Sequence, residues 1–133
     1  MTNNSRLWLK IIGFGILVWI VPFVTGFFFV DQAGNFTIDI FIAKSIFMVV
    51  GAIVGAFLIS RLFKQIHENY LRWGITIGLV WMITNWLLDI VVLLPLSGDS
   101  IPQWFGAIGV RYLSMLITGI LVGSVAQHFA NSN

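Results

Sequence analysis

The chain has 133 residues, of which 59% are hydrophobic and only 9% are charged, and its formal net charge is +2. Because soluble domains carry about a quarter charged residues, this composition excludes an ordinary soluble domain and indicates a membrane protein. The absence of cysteine excludes disulfides, thiolate metal sites and cysteine catalysis. The few cations form no basic patch with interleaved aromatic residues, so no nucleic-acid partner is expected.

Four nearly uncharged apolar segments follow one another along the chain, and each is close to the roughly 20 helical residues that cross a bilayer. We place them at residues 11–30, 40–60, 73–96 and 104–126. Turn-forming residues, among them Gly34, Gly98 and Pro102, fall in the connections. The sequence therefore predicts an all-α fold, a single membrane domain over residues 1–133 that forms a four-helix bundle from two helical hairpins.

The lysine and arginine residues outside these segments lie on one side only. They are Arg6, Lys10, Arg61, Lys64 and Arg72, whereas the two opposite loops contain Asp31, Asp39 and Asp99 and no cation. Since positively charged loops stay in the cytoplasm, we predict that both termini are cytoplasmic and that the chain inserts in one orientation. The expected location is the plasma (inner) membrane.

Three of the segments contain a charged residue, which is costly in lipid and marks a structural or functional site. Sixteen residues lie between Lys44 and Arg61, and sixteen lie between Arg72 and Asp89. Such a run covers about 24 Å of helix, less than the ~30 Å hydrocarbon core. Arg111 falls at a similar level, so the three charges are expected below the outer surface, with Asp89 and Arg111 paired across the second hairpin.

Together with nearby polar residues, these charged residues form a predicted binding site. Its residues are Lys44, Asn85, Asp89, Arg111, Ser114 and Thr118. Asn85 and Asp89 are one helical turn apart, and the last three share another face. One interpretation is an outward-facing pocket for a small anion or a lipid headgroup. The others are a buried Asp–Arg pair that only fixes helix register, and cations that reach the headgroups without a function.

Pairs of glycines four residues apart occur in three of the segments, and small residues at this spacing let helices approach closely in lipid. They are Gly51 and Gly55, Gly74 and Gly78, and Gly119 and Gly123. We expect them to pack helices within the bundle. The alternative for some of these faces is a homo-oligomer.

Catalysis, metal binding and cofactor binding are not expected. His67 and His128 fall at the cytoplasmic ends of the helices, away from the level of Asp89 and Arg111, and no histidine lies within a segment to hold haem. Phosphate-binding and dinucleotide-binding motifs are also missing from the sequence. The predicted partners are therefore the lipid bilayer and either a second copy of the chain or a larger membrane complex.

Two functional classes remain. Residues 84–96 and 109–113 give the chain a resemblance to small four-helix inner-membrane proteins of prokaryotes, which implies no activity. An accessory or interaction protein is favoured, because no continuous polar path reaches the cytoplasmic side. The alternative is a transporter or channel component with an outward-facing ion or small-anion site.

Overall fold

The computed structural model describes residues 2–133, with side chains from Asn4 onward, and this part of the chain is helical without a strand. The elements are α1 (Thr2–Phe27), α2 (Ile40–Phe63), α3 (Tyr70–Leu88), a π-helical turn (Asp89–Leu93), α4 (Leu94–Ser97), α5 (Ile101–Ala107), a 3-10 turn (Gly109–Tyr112) and α6 (Leu113–Ser132). Four segments are long and apolar enough to span a membrane: Asn4–Phe27, Ile40–Phe63, Tyr70–Ser97 and Gly109–Ser132. The chain is therefore a multi-pass membrane protein.

Of the boundaries that differ from the sequence-based expectation, two have a clear physical reason. The first helix begins at Thr2 rather than at residue 11, since polar residues continue a helix without difficulty outside the apolar part. The predicted fourth segment is interrupted at Ile108, whose φ of −131° and ψ of −50° are not helical. Because Gly106 and Gly109 flank this position and glycine is a poor helix former, the last spanning segment begins only at Gly109.

The long helices make their main contacts as a row in the order α2, α1, α3, α6, and the four-helix bundle stays a prediction. α1 packs against both α2 and α3, and α3 makes its most extensive contacts with α6. The end helices α2 and α6 share at most marginal contacts in the described chain. The two hairpins of the prediction are thus present, and they are joined side by side through α1 and α3.

Much of the apolar surface of this row is uncovered by protein. The buried core is a cluster formed by Leu7, Ile11, Val18, Leu58, Ile59, Leu62, Ile66, Ile77 and Trp81. Elsewhere large apolar side chains are exposed, including Phe28 at 80% and Phe41 at 74%. Apolar exposure on this scale is unusual for a soluble protein and is ordinary for a surface that faces lipid.

The backbones of α3 and α6 are in contact because glycines of each helix face the other helix. A Cβ atom on Gly74 would lie 2.9 Å from the Gly123 Cα atom, and one on Gly78 would lie 2.8 Å from the Leu116 Cα atom. A Cβ atom on Gly119 would likewise meet Gly78 at 3.1 Å. These four glycines therefore hold two helices of the same chain together.

The glycine pair of α2 packs less tightly. A Cβ atom on Gly51 would lie 3.5 Å from the Pro22 Cγ atom of α1, and one on Gly55 would lie 3.9 Å from the Trp81 ring of α3. Both are ordinary van der Waals distances, so an alanine fits at either position.

Candidate functional site

Asp89 is a buried carboxylate at the end of α3, only 1% exposed. The indole N–H of Trp19 on α1 donates to its Oδ1 atom at 2.6 Å, and the indole N–H of Trp104 on α5 donates to its Oδ2 atom at 2.9 Å. The Tyr112 side chain, at the end of the 3-10 turn, lies near this carboxylate. Indole donors from two other elements thus satisfy one acidic group with a phenol beside it, and we call Trp19, Asp89, Trp104 and Tyr112 the Asp89 cluster.

The local sequence explains how these groups reach each other. Pro95 has no N–H and its ring crowds the carbonyl four residues back, so regular α-helical spacing is disturbed ahead of it, where the wider π-helical turn begins at Asp89. After the connection, Ser100 and Gln103 form a capping box that starts α5. Trp104 follows within the first turn and is only 3% exposed, since its ring lies over Asp89.

Trp19–Asp89 is the last of three hydrogen bonds that connect α1 to α3 at intervals of one helical turn. Trp81 donates its indole N–H to the Ile11 carbonyl at 2.9 Å, and Asn85 donates its side-chain N–H to the Gly15 carbonyl at 3.3 Å. The partners are 70 residues apart in each pair, so the two helices run in the same direction with a constant offset. We call these three contacts the α1–α3 ladder.

Gly15 provides the space that the ladder needs. A Cβ atom at this position would lie 2.9 Å from the Trp81 Cδ1 atom, a distance at which the ring would have to move. The glycine therefore lets the Trp81 ring lie flat against α1 while its carbonyl remains available to Asn85.

Asn85 is 1% exposed and contains the buried, unpartnered oxygen of this region. Its Nδ2 atom donates to the Trp81 carbonyl at 2.7 Å as well as to the Gly15 carbonyl. Its Oδ1 atom has no partner, the sole buried side-chain polar atom of residues 4–133 in that state. Both acceptors are helix carbonyls that already have backbone partners, so the hydrogen bond from Asn85 to Gly15 is a weak one.

We therefore expect Asn85→Leu to change the free energy of unfolding by no more than about 1 kcal/mol, because the loss of a long hydrogen bond is offset by removal of an unsatisfied oxygen. Thermal unfolding of the purified protein in detergent measures this. A loss greater than about 2 kcal/mol would contradict the assignment and would mean that Oδ1 holds a tightly bound partner.

The direct pair between Asp89 and Arg111 that we predicted is not formed. No ion pair joins Asp89 to Arg111 or to Lys44 anywhere in residues 4–133, and both carboxylate oxygens accept from indoles. Arg111 is half-buried within the 3-10 turn, next to Tyr112. The physical reason is that neutral donors satisfy a buried carboxylate without the desolvation of a second ion.

The other predicted site residues are spread over the row instead of lining one pocket. Lys44 is half-buried on α2, at the end of the row farthest from α6. Ser114 and Thr118 are exposed on α6. One shallow surface cleft runs along α2 near Phe41 and another lies beside Arg72, and neither is lined by any of the six residues.

Sequence reasoning missed the tryptophans as partners of Asp89 and the position of Tyr112 beside it. The available signal was position: in the sequence Trp19, Trp81 and Trp86 fall well inside the apolar segments and not at their ends, where interfacial tryptophans are common. All three donate their indole N–H to the chain itself, Trp86 to the Gly109 carbonyl at 2.8 Å. The break at Ile108 is what allows α5 to turn Trp104 inward.

Comparison of the chain with known protein families, with curated proteins and with solved structures gave no match. The geometry alone therefore indicates the chemistry of the site. A buried acid whose two oxygens are occupied by neutral donors is suited to holding helices in place.

Proposed function

We propose that this protein is an accessory or interaction protein of the membrane, whose Asp89 cluster and α1–α3 ladder fix two hairpins in one arrangement. The observation that carries the proposal is the use of both Asp89 oxygens by indoles of the same chain. Such a carboxylate joins α1, α3 and α5, and at 1% exposure it is closed to an ion unless the side chains around it move.

The distribution of the other polar groups supports the same choice over a transporter or channel component. A transport site needs liganding groups that converge, yet Ser114 and Thr118 are exposed and Lys44 lies on the far helix of the row. Asn85 is enclosed between α1 and α3. Among the residues of the α1–α3 ladder, Asp89 is the one charged group, so the ladder provides no series of charged sites toward the basic end of the helices.

The ends of the row supply surfaces for a partner. α2 and α6 each have one principal helical neighbour, so the opposite face of each is free. On α2 this face includes Ile53 at 65% and Phe57 at 59% exposed. We propose that a second copy of the chain or a larger membrane complex packs there, with the remaining surface covered by lipid.

Charge supports the orientation of the protein as part of the proposal. The five exposed cations Arg6, Lys10, Arg61, Lys64 and Arg72 belong to one end of the helices, and Asp31, Asp39 and Asp99 belong to the other. The positive-inside rule supports a cytoplasmic location for both termini. The plasma (inner) membrane is the proposed location.

Reconstitution tests the proposal against transport. We expect native mass measurement in a membrane mimic to give a defined assembly, and liposomes containing the protein to pass ions no faster than empty ones. Lys44→Met, a half-buried position away from the Asp89 cluster, serves as the matched control and should behave like the parent protein. Ion flux that is present in the parent protein and absent from a well-folded Lys44→Met variant would overturn the proposal in favour of a transporter.

A further inference from the structure

A shallow cleft lies between the start of α3 and the end of α6, at the end of the helices that contains the exposed cations. Its volume is about 420 Å³, and it is lined by Asn69, Leu71, Arg72, Ile75, Thr76 and Gln127. The two helices touch beside it, since a Cβ atom on Gly123 would lie 2.8 Å from the Tyr70 carbonyl oxygen. Gln127 follows Gly123 by one turn and therefore forms the α6 wall.

The lining of this cleft is divided into a polar and an apolar part. Arg72 is exposed and has no ion pair in the described part of the chain. Gln127 donates from its side-chain amide to Asn131 at 3.1 Å, which leaves a second N–H for another acceptor. Leu71 and Ile75 form an apolar strip one helical turn long, directed along the spanning segment.

We propose that this cleft binds one anionic phospholipid, with its phosphate against Arg72 and an acyl chain along Leu71 and Ile75. An arginine presents several N–H donors to a phosphate group, and the amides of Asn69 and Gln127 add neutral donors at the same level. Basic pockets between transmembrane helices recognise anionic headgroups in this way. A phospholipid matches both parts of the lining, since its negative phosphate suits the polar part and its hydrocarbon chain suits the apolar part.

The charge of the surrounding surface is complementary to this ligand. Five exposed cations, Arg6, Lys10, Arg61, Lys64 and Arg72, share this end with one acid, Glu68, which leaves five minus one, or four, positive charges. Most of these cations act at a distance and attract any anionic membrane. Arg72 differs from them because it lines a cleft with an apolar floor, so its contribution should depend on the lipid and not only on charge.

Binding of added lipid to the delipidated chain tests the site. We expect native mass spectrometry to detect one tightly held phosphatidylglycerol per chain and no comparable phosphatidylcholine adduct. Arg72→Gln should weaken phosphatidylglycerol binding by about tenfold, because it removes the charge-assisted hydrogen bonds that Arg72 donates directly to the phosphate. Arg61→Gln is the matched control, because Arg61 lies on α2 over the Phe57 ring, 5.1 Å from its centroid, and should change binding by less than about twofold.

Each other outcome overturns the site. An equal loss in Arg61→Gln would mean that the whole basic surface attracts lipid and that the cleft has no special role. Competition by inorganic phosphate alone would assign the cleft to a free anion. Unchanged binding in an Arg72→Gln variant of parental thermal stability would remove Arg72 from the site.

Discussion

Gly74→Ala is expected to lower the free energy of unfolding by about 3 kcal/mol or more, the upper part of the range for forced overpacking. The added methyl would overlap the Gly119 carbonyl oxygen and would lie 2.9 Å from the Gly123 Cα atom. These neighbours are backbone atoms, which cannot swing aside as the end of a flexible side chain can. The helices would have to separate, with loss of their whole interface. Unfolding in mixed micelles at increasing denaturing detergent measures the loss.

Gly13→Ala is the matched control for that experiment. A Cβ atom on Gly13 has no neighbour within 4 Å, and this residue also lies inside a spanning helix. Since alanine is the better helix former by roughly 1 kcal/mol, Gly13→Ala should leave stability unchanged or raise it slightly. Equal effects of the two substitutions would show that α3 and α6 are not in backbone contact.

Trp104→Phe is expected to destabilise the protein by about 1.5–3 kcal/mol beyond the packing cost of the smaller ring. The substitution leaves Asp89 Oδ2 without its indole donor in a buried site, and hydrogen bonds to charged groups have this magnitude. Trp86→Phe is the matched comparison, because Trp86 donates to a neutral acceptor, the Gly109 carbonyl, and should cost only about 1 kcal/mol beyond packing. The difference between the two unfolding free energies, after allowance for the greater burial of Trp104, gives the contribution of the carboxylate.

Indole N–H resonances provide a direct check on the same contacts. In Asp89→Asn, one of the two facing indoles meets an amide N–H in place of an oxygen, so the resonances of Trp19 and Trp104 should move together. The Trp81 and Trp86 resonances, whose acceptors are backbone carbonyls, should stay in place. If Trp104→Phe cost no more than Trp86→Phe and the resonances were insensitive to residue 89, the Asp89 cluster would not exist in the membrane.

The spans could be predicted from sequence because hydrocarbon thickness imposes a minimum length on apolar helices. Their arrangement could not. The first span is apolar nearly all round, and the few polar residues of the others form no continuous stripe that indicates which face meets protein and which meets lipid. The row of α2, α1, α3 and α6 is set instead by local shape, above all by Gly15 under the Trp81 ring and by Gly74 against α6.

Asp89 illustrates both the reach and the limit of charge patterning. Its position well inside an apolar segment correctly predicted a buried carboxylate, and a buried carboxylate needs hydrogen-bond partners. Which partners it obtains depends on two irregularities, the π-helical turn and the break at Ile108, that bring Trp104 inward. Charge attraction suggested Arg111, whereas neutral indoles avoid bringing a second ion out of water.

The α1–α3 ladder has a consequence for how the two hairpins respond to the bilayer. Its partners stay 70 residues apart over two helical turns, so axial sliding of one helix by even a single residue would unpair every rung at once. A thinner bilayer must therefore be met by joint tilting of α1 and α3, with their relative height unchanged. α6 is held to α3 by the glycine contacts and by the Trp86–Gly109 hydrogen bond, so α2 is the helix that can most readily adjust its depth.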